Sequence, residues 1–266
     1  ALPIYPWPGQ ARLLTMAHLS SREIEALHSA LSAALRELPA NAIPGWNDPS
    51  AVGRSGEAEA IAGLTDILIR YTAELFRFNE KLGLVEATPT EFVRAHLMDS
   101  LAPLTVLPAD VGELFTRSSG LVDLGSGAGL PGLPIALALP HLSVTLLDRS
   151  GRRCGFLRNA VTMVGRRDIE VLQGDLSDAA GRASERGGFE LVVARAFRPL
   201  EAELLETLLS LLSEEGALLF YKGRREQTER ELKATSEELG LPGEAEPTVE
   251  LFDVSVPGLE IGRAHV

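Results

Sequence analysis

The stretch Leu121-Val122-Asp123-Leu124-Gly125-Ser126-Gly127-Ala128-Gly129-Leu130-Pro131-Gly132 joins a short apolar run to a glycine-rich turn, with an acid just ahead of the first glycine. The apolar run reads as a buried strand. Glycines let the backbone turn tightly and approach a ligand, and the run Leu133–Leu139 starts a helix whose free N–H groups face the same place. Two nucleotide chemistries share this pattern. Gly127, Gly129 and Gly132 satisfy G-x-G-x-x-G, and Asp148 stands at about the distance expected of a ribose-binding acid in a dinucleotide fold. Asp123 separates the two, because a carboxylate at the strand end repels a pyrophosphate but attracts the ammonium and sulfonium of S-adenosylmethionine. The expected ligand is therefore S-adenosyl-L-methionine, with Asp123, Gly127, Gly129 and Asp148 as candidate cofactor-binding residues.

Outward from this turn, short apolar strands alternate with helices, the signature of parallel β-α-β units. Strands are expected at Leu121–Leu124, Val144–Leu147, Glu170–Gln173, Leu191–Ala194 and Ala217–Tyr221, with two more near Val249–Val254 and Ile261–Val266. Helices are expected near Pro131–Leu139, Gly151–Val164, Leu176–Ser184, Leu200–Leu212 and Arg225–Leu239. Seven strands match the Rossmann-like α/β sheet of a class I methyltransferase. Ahead of it, Ser20 or Ser21 caps a helix to about Leu38, and further amphipathic helices are expected over Glu57–Lys81 and from Pro89 to about Leu107. The expected organisation is a flexible tail over 1–19, an N-terminal helical region over 20–110 with a loop at 39–56, and a methyltransferase domain over 111–266.

Composition narrows the class further. No apolar run nears the roughly 18 residues needed to span a bilayer, so no membrane association is expected. The single cysteine, Cys154, fits a reducing cytoplasm. A formal net charge of −12 argues against non-specific coating of nucleic acid, yet the charge is uneven. From Arg149 to Arg225 there are 13 basic and 11 acidic residues, against 12 and 26 elsewhere, which allows a local basic face.

Several residues stand where chemistry is done. Asp148 ends the second strand, where an acid can accept ribose hydroxyls or cap the next helix. The third strand leads into Gly174-Asp175-Leu176-Ser177, where this fold meets the adenine ring, although Asp175 or Ser177 also suits a helix cap. After the fourth strand, Ala194-Arg195-Ala196-Phe197-Arg198-Pro199 carries neither the Pro-Pro-aromatic sequence of amino-directed enzymes nor a Pro-Cys nucleophile. Guanine N7 offers an in-plane lone pair, so its methylation needs alignment without a covalent nucleophile or an obligatory base. Arg195 can address guanine O6 or a phosphate, position the cofactor, or pair with a surface glutamate. Phe197 suits stacking on a base or a place in the core. His96, Asp99 and Ser100 share roughly one helical face, which suits hydrogen bonding toward the sheet edge better than a hydrolytic triad. Lys222 and Arg224, after the fifth strand, suit RNA phosphate or a helix start. No His/Cys cluster has metal-ligand spacing, so no metal is expected.

Five ordered segments together resemble the RsmG (GidB) family, bacterial methyltransferases that modify guanine N7 in small-subunit (16S) ribosomal RNA. They are Phe78-Asn79-Glu80-Lys81, His96-Leu97-Met98-Asp99-Ser100, the glycine loop with its Gly129-Leu130-Pro131-Gly132-Leu133-Pro134 extension, Arg195-Ala196-Phe197, and Lys222-Gly223. The resemblance runs from about Tyr71 to the C-terminus. It implies cofactor contacts at Gly125, Leu130, Leu176, Ser177 and Arg195, with Arg195 also as the catalytic residue. Substrate contacts are expected at His96, Asp99, Ser100, Arg195, Arg198, Lys222 and Arg224, with 16S ribosomal RNA or the small ribosomal subunit as partner and a cytoplasmic monomer as the working form. Three segments depart from the family pattern. The aromatic-Asn-Leu that follows the Asn-Lys segment in the family reads Leu82-Gly83-Leu84 here. Gly174-Asp175-Leu176-Ser177 replaces an Arg-Ala/Val-Glu segment, and the terminal Glu-Arg-His-Leu is matched only loosely by Gly262-Arg263-Ala264-His265.

Overall fold

Ser20 opens the first helix by accepting from the Glu23 N–H, while the Glu23 carboxylate accepts from the Ser20 N–H, a reciprocal cap that satisfies two otherwise orphan donors. The resulting α1 (Ser21–Glu37) buries Leu27, Leu31 and Leu35, spaced four apart. The computed structural model describes residues 19–38, 57–118, 120–195, 199–223, 225–239, 251–254, 256 and 263–265. The tail expected at 1–19, Leu19 excepted, and the loop expected at 39–56 lie outside them. Helix α2 (Glu57–Leu82) packs Ile61, Leu64, Leu68, Tyr71 and Leu75 inward.

The third expected helix is interrupted. A Thr88–Glu91 capping box starts α3 (Pro89–Phe92), which passes into a π-helical turn (Val93–Met98), a short α4 (Asp99–Leu101) and a 3-10 turn (Ala102–Thr105). Pro103 lacks the N–H that would continue α-helical bonding, which accounts for the tightening at its end. Helix α5 (Ala109–Arg117) was not expected and crosses residues 110 and 111. Its apolar stripe is only Val111, Leu114 and Phe115, too short a signal to stand out.

The sheet follows with β1 (Gly120–Leu124), α6 (Gly132–Ala138), β2 (Ser143–Asp148), α7 (Gly151–Met163), β3 (Glu170–Gln173), α8 (Leu176–Arg186), β4 (Phe189–Arg195), α9 (Ala202–Leu209), β5 (Leu212–Tyr221), α10 (Arg225–Leu239), β6 (Phe252–Val254) and β7 (Arg263–His265). Spatial order is β3-β2-β1-β4-β5-β7-β6. The first five are parallel, and β7 and β6 extend the β5 edge antiparallel. Strand β5 begins five residues before the expected Ala217, and α9 is shorter than expected at both ends. Gly188 explains part of this: a Cβ there would stand 2.3 Å from the Ser213 nitrogen, so its absence lets the two backbones close.

Alternation along the strands sorts the core into two layers. Leu121, Leu146, Leu191, Val193 and Leu219 face the layer shared with α1, α2, α6 and α7, whereas Val122, Leu124, Leu147, Val192, Ala194 and Phe220 face α8 and α9. By the same parity Asp123, Arg195 and Tyr221, on adjacent strands β1, β4 and β5, point toward the layer that the N-terminal helices cover. Strand order reverses between β1 and β4, which places the crevice of an open α/β sheet at their carboxyl ends.

Candidate active site

Three elements tie down the glycine loop between β1 and α6. From β1, the Asp123 Oδ2 accepts from the Gly132 N–H at 3.0 Å, and from β2 the Asp148 Oδ2 accepts from the Gly127 N–H at 2.8 Å. From α2, the Tyr71 hydroxyl donates to the Ala128 carbonyl at 2.6 Å. Gly127 has φ +56°, the left-handed region, and where its Cβ would stand the nearest atom is the Gly125 carbonyl oxygen at 3.8 Å. A side chain there would meet the protein only in ordinary van der Waals contact. Gly132 is the opposite case, since a Cβ there would meet the Asp123 Cβ at 2.6 Å. Gly125 and Gly129 also take positive φ, and Leu130 is buried and joined to Pro131 by a cis bond.

Asp123 is fully buried, and its Oδ1 has no hydrogen-bond partner among the described residues. Burial pushes its pKa up to about 7, against the lowering influence of the Ser126 side chain, the Gly132 N–H and the Arg195 guanidinium. An uncompensated acceptor of this kind beside the glycine loop suits a cationic ligand. The Asp148 carboxylate is shared between Gly127 and the Ser150 N–H, with Arg153 at 3.7 Å. It is not the cap of α7, a role that falls to Ser150, whose hydroxyl accepts from the Arg153 N–H.

At the end of β3 the chain makes a capping box. Asp175 accepts from the Ser177 N–H and hydroxyl, and Asp178 accepts from the Asp175 N–H. Ser177 is exposed and Leu176 half-buried at the carboxyl end of the sheet.

The fourth strand ends in Arg195, whose side chain is only 10% exposed. Its guanidinium lies 3.2 Å from the Asp99 Oδ2, donates to the His96 carbonyl at 3.3 Å and meets His96 Nδ1. The structure thus brings together three of the residues expected at the site, two of them from the interrupted helix of the N-terminal region. His96 is held in turn by ring contact with Phe92, itself edge-on to Tyr71. Ser100 turns the other way: it is buried, its hydroxyl donates to the His96 carbonyl, and its own carbonyl accepts from Tyr221. Both its hydroxyl and its carbonyl are spent within the cluster, so it presents no side chain to a substrate.

The basic residues after β5 are committed elsewhere. Lys222, 9% exposed, donates to the Glu231 carboxylate at 2.6 Å and lies over the Phe220 ring. Arg225 bridges Glu229 and Asp253. The RNA-facing role expected of Lys222 meets an ion pair instead, because α10 returns Glu231 onto the strand end. Arg198, Arg224 and Phe197 lie outside the described residues, as do the side chains of Arg263, Ala264 and His265. Three residues that hold the site were not singled out from sequence. Tyr71 sits in the apolar stripe of α2, where a hydroxyl must find a partner. Tyr221 shares strand parity with Arg195, and Glu231 is an acid on α10 with no local cation assigned to it.

A parallel sheet extended antiparallel at one edge, with its switch point at a glycine loop and a buried acid beneath that loop, is the architecture of a class I methyltransferase, for which the cofactor is S-adenosylmethionine. The family described as rRNA small subunit methyltransferase G matches residues 65–251, and the chain belongs to it. The ribosomal RNA small subunit methyltransferase G of Treponema pallidum is 33% identical over 190 residues, covering 66% of this chain and 80% of that one. The protein of the same name from Halorhodospira halophila is 40% identical over 156 residues, 58% of this chain and 68% of the other. Among solved structures, an O-methyltransferase from Bacillus cereus in complex with SAH matches with a TM-score of 0.51 at 16% identity, over 76% of this chain and 92% of that one, which bears on the fold alone. Among the described residues no helix is long and apolar enough to cross a membrane, and no group of three His, Cys, Asp or Glu side chains is placed to hold a metal ion.

Proposed function

We propose that this chain methylates guanine N7 in 16S ribosomal RNA, using S-adenosylmethionine, as a cytoplasmic monomer. The observation that carries the reading is the Arg195 cluster. A buried guanidinium is fixed by Asp99 and His96 at the end of β4, beside the switch point and the glycine loop. A cation held in one orientation can bind guanine O6 or a neighbouring phosphate and leave the N7 lone pair free for attack. When bound, the cofactor supplies an electrophilic methyl group on a sulfonium. Because N7 carries no proton, no side chain needs to act as a base, and positioning supplies the catalysis.

In this reading Gly125, Gly127, Gly129 and Leu130 hold the cofactor through the loop, and Asp148 takes its ribose hydroxyls. Asp123 offsets its positive charge, and Leu176 and Ser177 flank its adenine. Incubating the protein with S-adenosylmethionine and either naked 16S RNA or assembled small subunits, then quantifying 7-methylguanosine in the nuclease digest, tests the proposal. Formation of that nucleoside with one of the substrates is expected. Its absence with both would overturn the reading.

A further inference from the structure

Lys222 and Arg225 are paired to acids and Arg195 is a single buried guanidinium held at the end of β4, so a surface that tracks the RNA backbone calls for further positive charge on the carboxyl edge of the sheet. From Arg149 to Arg167 the chain carries six arginines and no acidic residue, in a protein of formal net charge −12. Three of the six are engaged within the protein: Arg166 is tied to Asp168 and to the Leu142 carbonyl, Arg158 donates to the Val171 carbonyl, and Arg153 stands 3.7 Å from the Asp148 carboxylate. Arg149 and Arg152 are exposed and have no hydrogen-bond or ion-pair partner among the described residues. Together with Arg153, Ser150 and Leu82 they line an open depression of about 340 Å³. Leu82 belongs to the last turn of α2, where the adjacent Lys81 is also exposed.

The placement of these arginines runs against local helix electrostatics. Arg152 and Arg153 occupy the first turn of α7, which contains no acid, although the positive end of a helix dipole favours anions there. Arg153 is offset there by the Asp148 carboxylate, but Arg152 is disfavoured until a negative ligand arrives, and the guanidinium forks of Arg149 and Arg152 around a concave site match phosphate oxygens. A small free phosphate would need only one such fork, whereas spaced arginines on either side of Ser150, with Lys81 beyond Leu82, form a strip.

The strip is also adjacent to the chemistry. It begins one residue after Asp148, whose carboxylate holds the Gly127 N–H of the cofactor loop. Strand β2 is separated from β4, which ends in Arg195, only by β1, a span of about 10 Å at the usual strand spacing. We infer that Arg149 and Arg152, in the depression between the end of α2 and the start of α7, bind the phosphate backbone of the RNA substrate and present its target base to the loop. This rests on the reading of the chain as an RNA methyltransferase.

The test is the variant Arg149→Ala/Arg152→Ala, measured for affinity to a 16S RNA fragment over a range of salt concentrations and for S-adenosylmethionine affinity by calorimetry. Loss of two phosphate contacts should weaken RNA binding at least tenfold at low salt and reduce the salt slope by about 1.4 to 1.8. Cofactor affinity should stay within twofold. The control Arg230→Ala/Lys233→Ala removes the same charge from the exposed side of α10 and should leave the slope near that of the parent. Arg149→Lys/Arg152→Lys should restore most of the slope, which a folding defect would not allow. A parent-like slope in the alanine variant, or an equal loss in the α10 control, overturns the inference. Methylation by the parent protein on the same RNA reports separately: arginine-dependent binding without 7-methylguanosine would leave this surface standing and remove the proposed activity.

Discussion

Arg195 and Asp99 form a pair in which each member keeps the other inside the protein, the aspartate 1% exposed and the arginine side chain 10%. Removing one partner of such a pair leaves a buried charge uncompensated. Arg195→Ala is expected to lower stability by on the order of 2 kcal/mol and to lower kcat for RNA methylation about 100-fold or more, the usual loss for a positioned charge donor. Arg195→Lys should recover more of the stability than of the rate, because an ammonium lacks the planar fork that meets Asp99 and His96 together. Denaturant titration and steady-state kinetics on the same preparations check both. Asp123 supplies a pH signature. Its pKa is raised to about 7 in the fold, so the neutral form is favoured. The stability this contributes is complete below the unfolded value near 4 and is lost as pH rises toward 7. Asp123→Asn is expected to flatten that part of the profile in cofactor-free protein and to be more stable than the parent above pH 7, by on the order of 1 to 2 kcal/mol. Denaturation midpoints at pH 5 and pH 8 that shift equally in both proteins would show that the carboxyl is ionised throughout. That Asp123 and Asp148 stand at strand ends beside the glycine turn was legible in the sequence. That each binds a glycine N–H of one loop was not, because sequence spacing does not say which way a carboxylate turns.

At the scale of elements, the parallel strands were readable because each is a short apolar run bounded by turn residues. Three elements were not. The interruption of the third helix arises from Pro103 and from contacts that His96 and Asp99 make with a strand about 100 residues away. Helix α5 is a little over two turns long. The start of β5 depends on the close approach at Gly188. Lys222 illustrates the cost of reading one element without its neighbour: it looks free at a strand end until α10 brings Glu231 to within 2.6 Å. Burial alone would raise the Glu231 pKa, yet hydrogen bonds from Lys222, the Leu200 N–H and Gln227 hold it below the usual carboxylate value. Lys222→Ala is therefore expected to cost on the order of 2 kcal/mol of stability, an effect that fades as pH falls through the depressed pKa and Glu231 takes up a proton. The salt slope of RNA binding should stay at the parent value. A slope reduced by about one with unchanged stability would return Lys222 to the RNA surface.

For the whole molecule, one apolar layer runs from Leu27, Leu31 and Leu35 of α1 through Tyr71 and Phe92 to Leu146, Leu191 and Leu219 of the sheet. The N-terminal helices are part of the core that holds the glycine loop and cannot be detached without exposing it. Unfolding followed by far-ultraviolet circular dichroism and by a fluorescent probe attached to α1 should therefore give coincident transitions. An earlier transition at α1 would mean that the helices form a separate unit. The sequence pattern divided helices from sheet correctly as types of structure, but it carried no sign that they share one layer, since that depends on which face of each strand the helices cover.

The three anchors on the glycine loop also set its behaviour in time. Amides fixed to carboxylates that are themselves buried exchange with solvent only when the surrounding structure opens. The Gly127 and Gly132 amides, bound to Asp148 and Asp123, should exchange far more slowly in cofactor-free protein than loop position alone would suggest, with Gly132 approaching the rate of β1 itself. In the proposed reading, a cofactor entering this loop finds its donors and turns already arranged, so its binding should show little dependence on loop motion in the microsecond to millisecond range. Relaxation dispersion at these glycines, silent with and without ligand, is the behaviour to expect of a receptor assembled in advance.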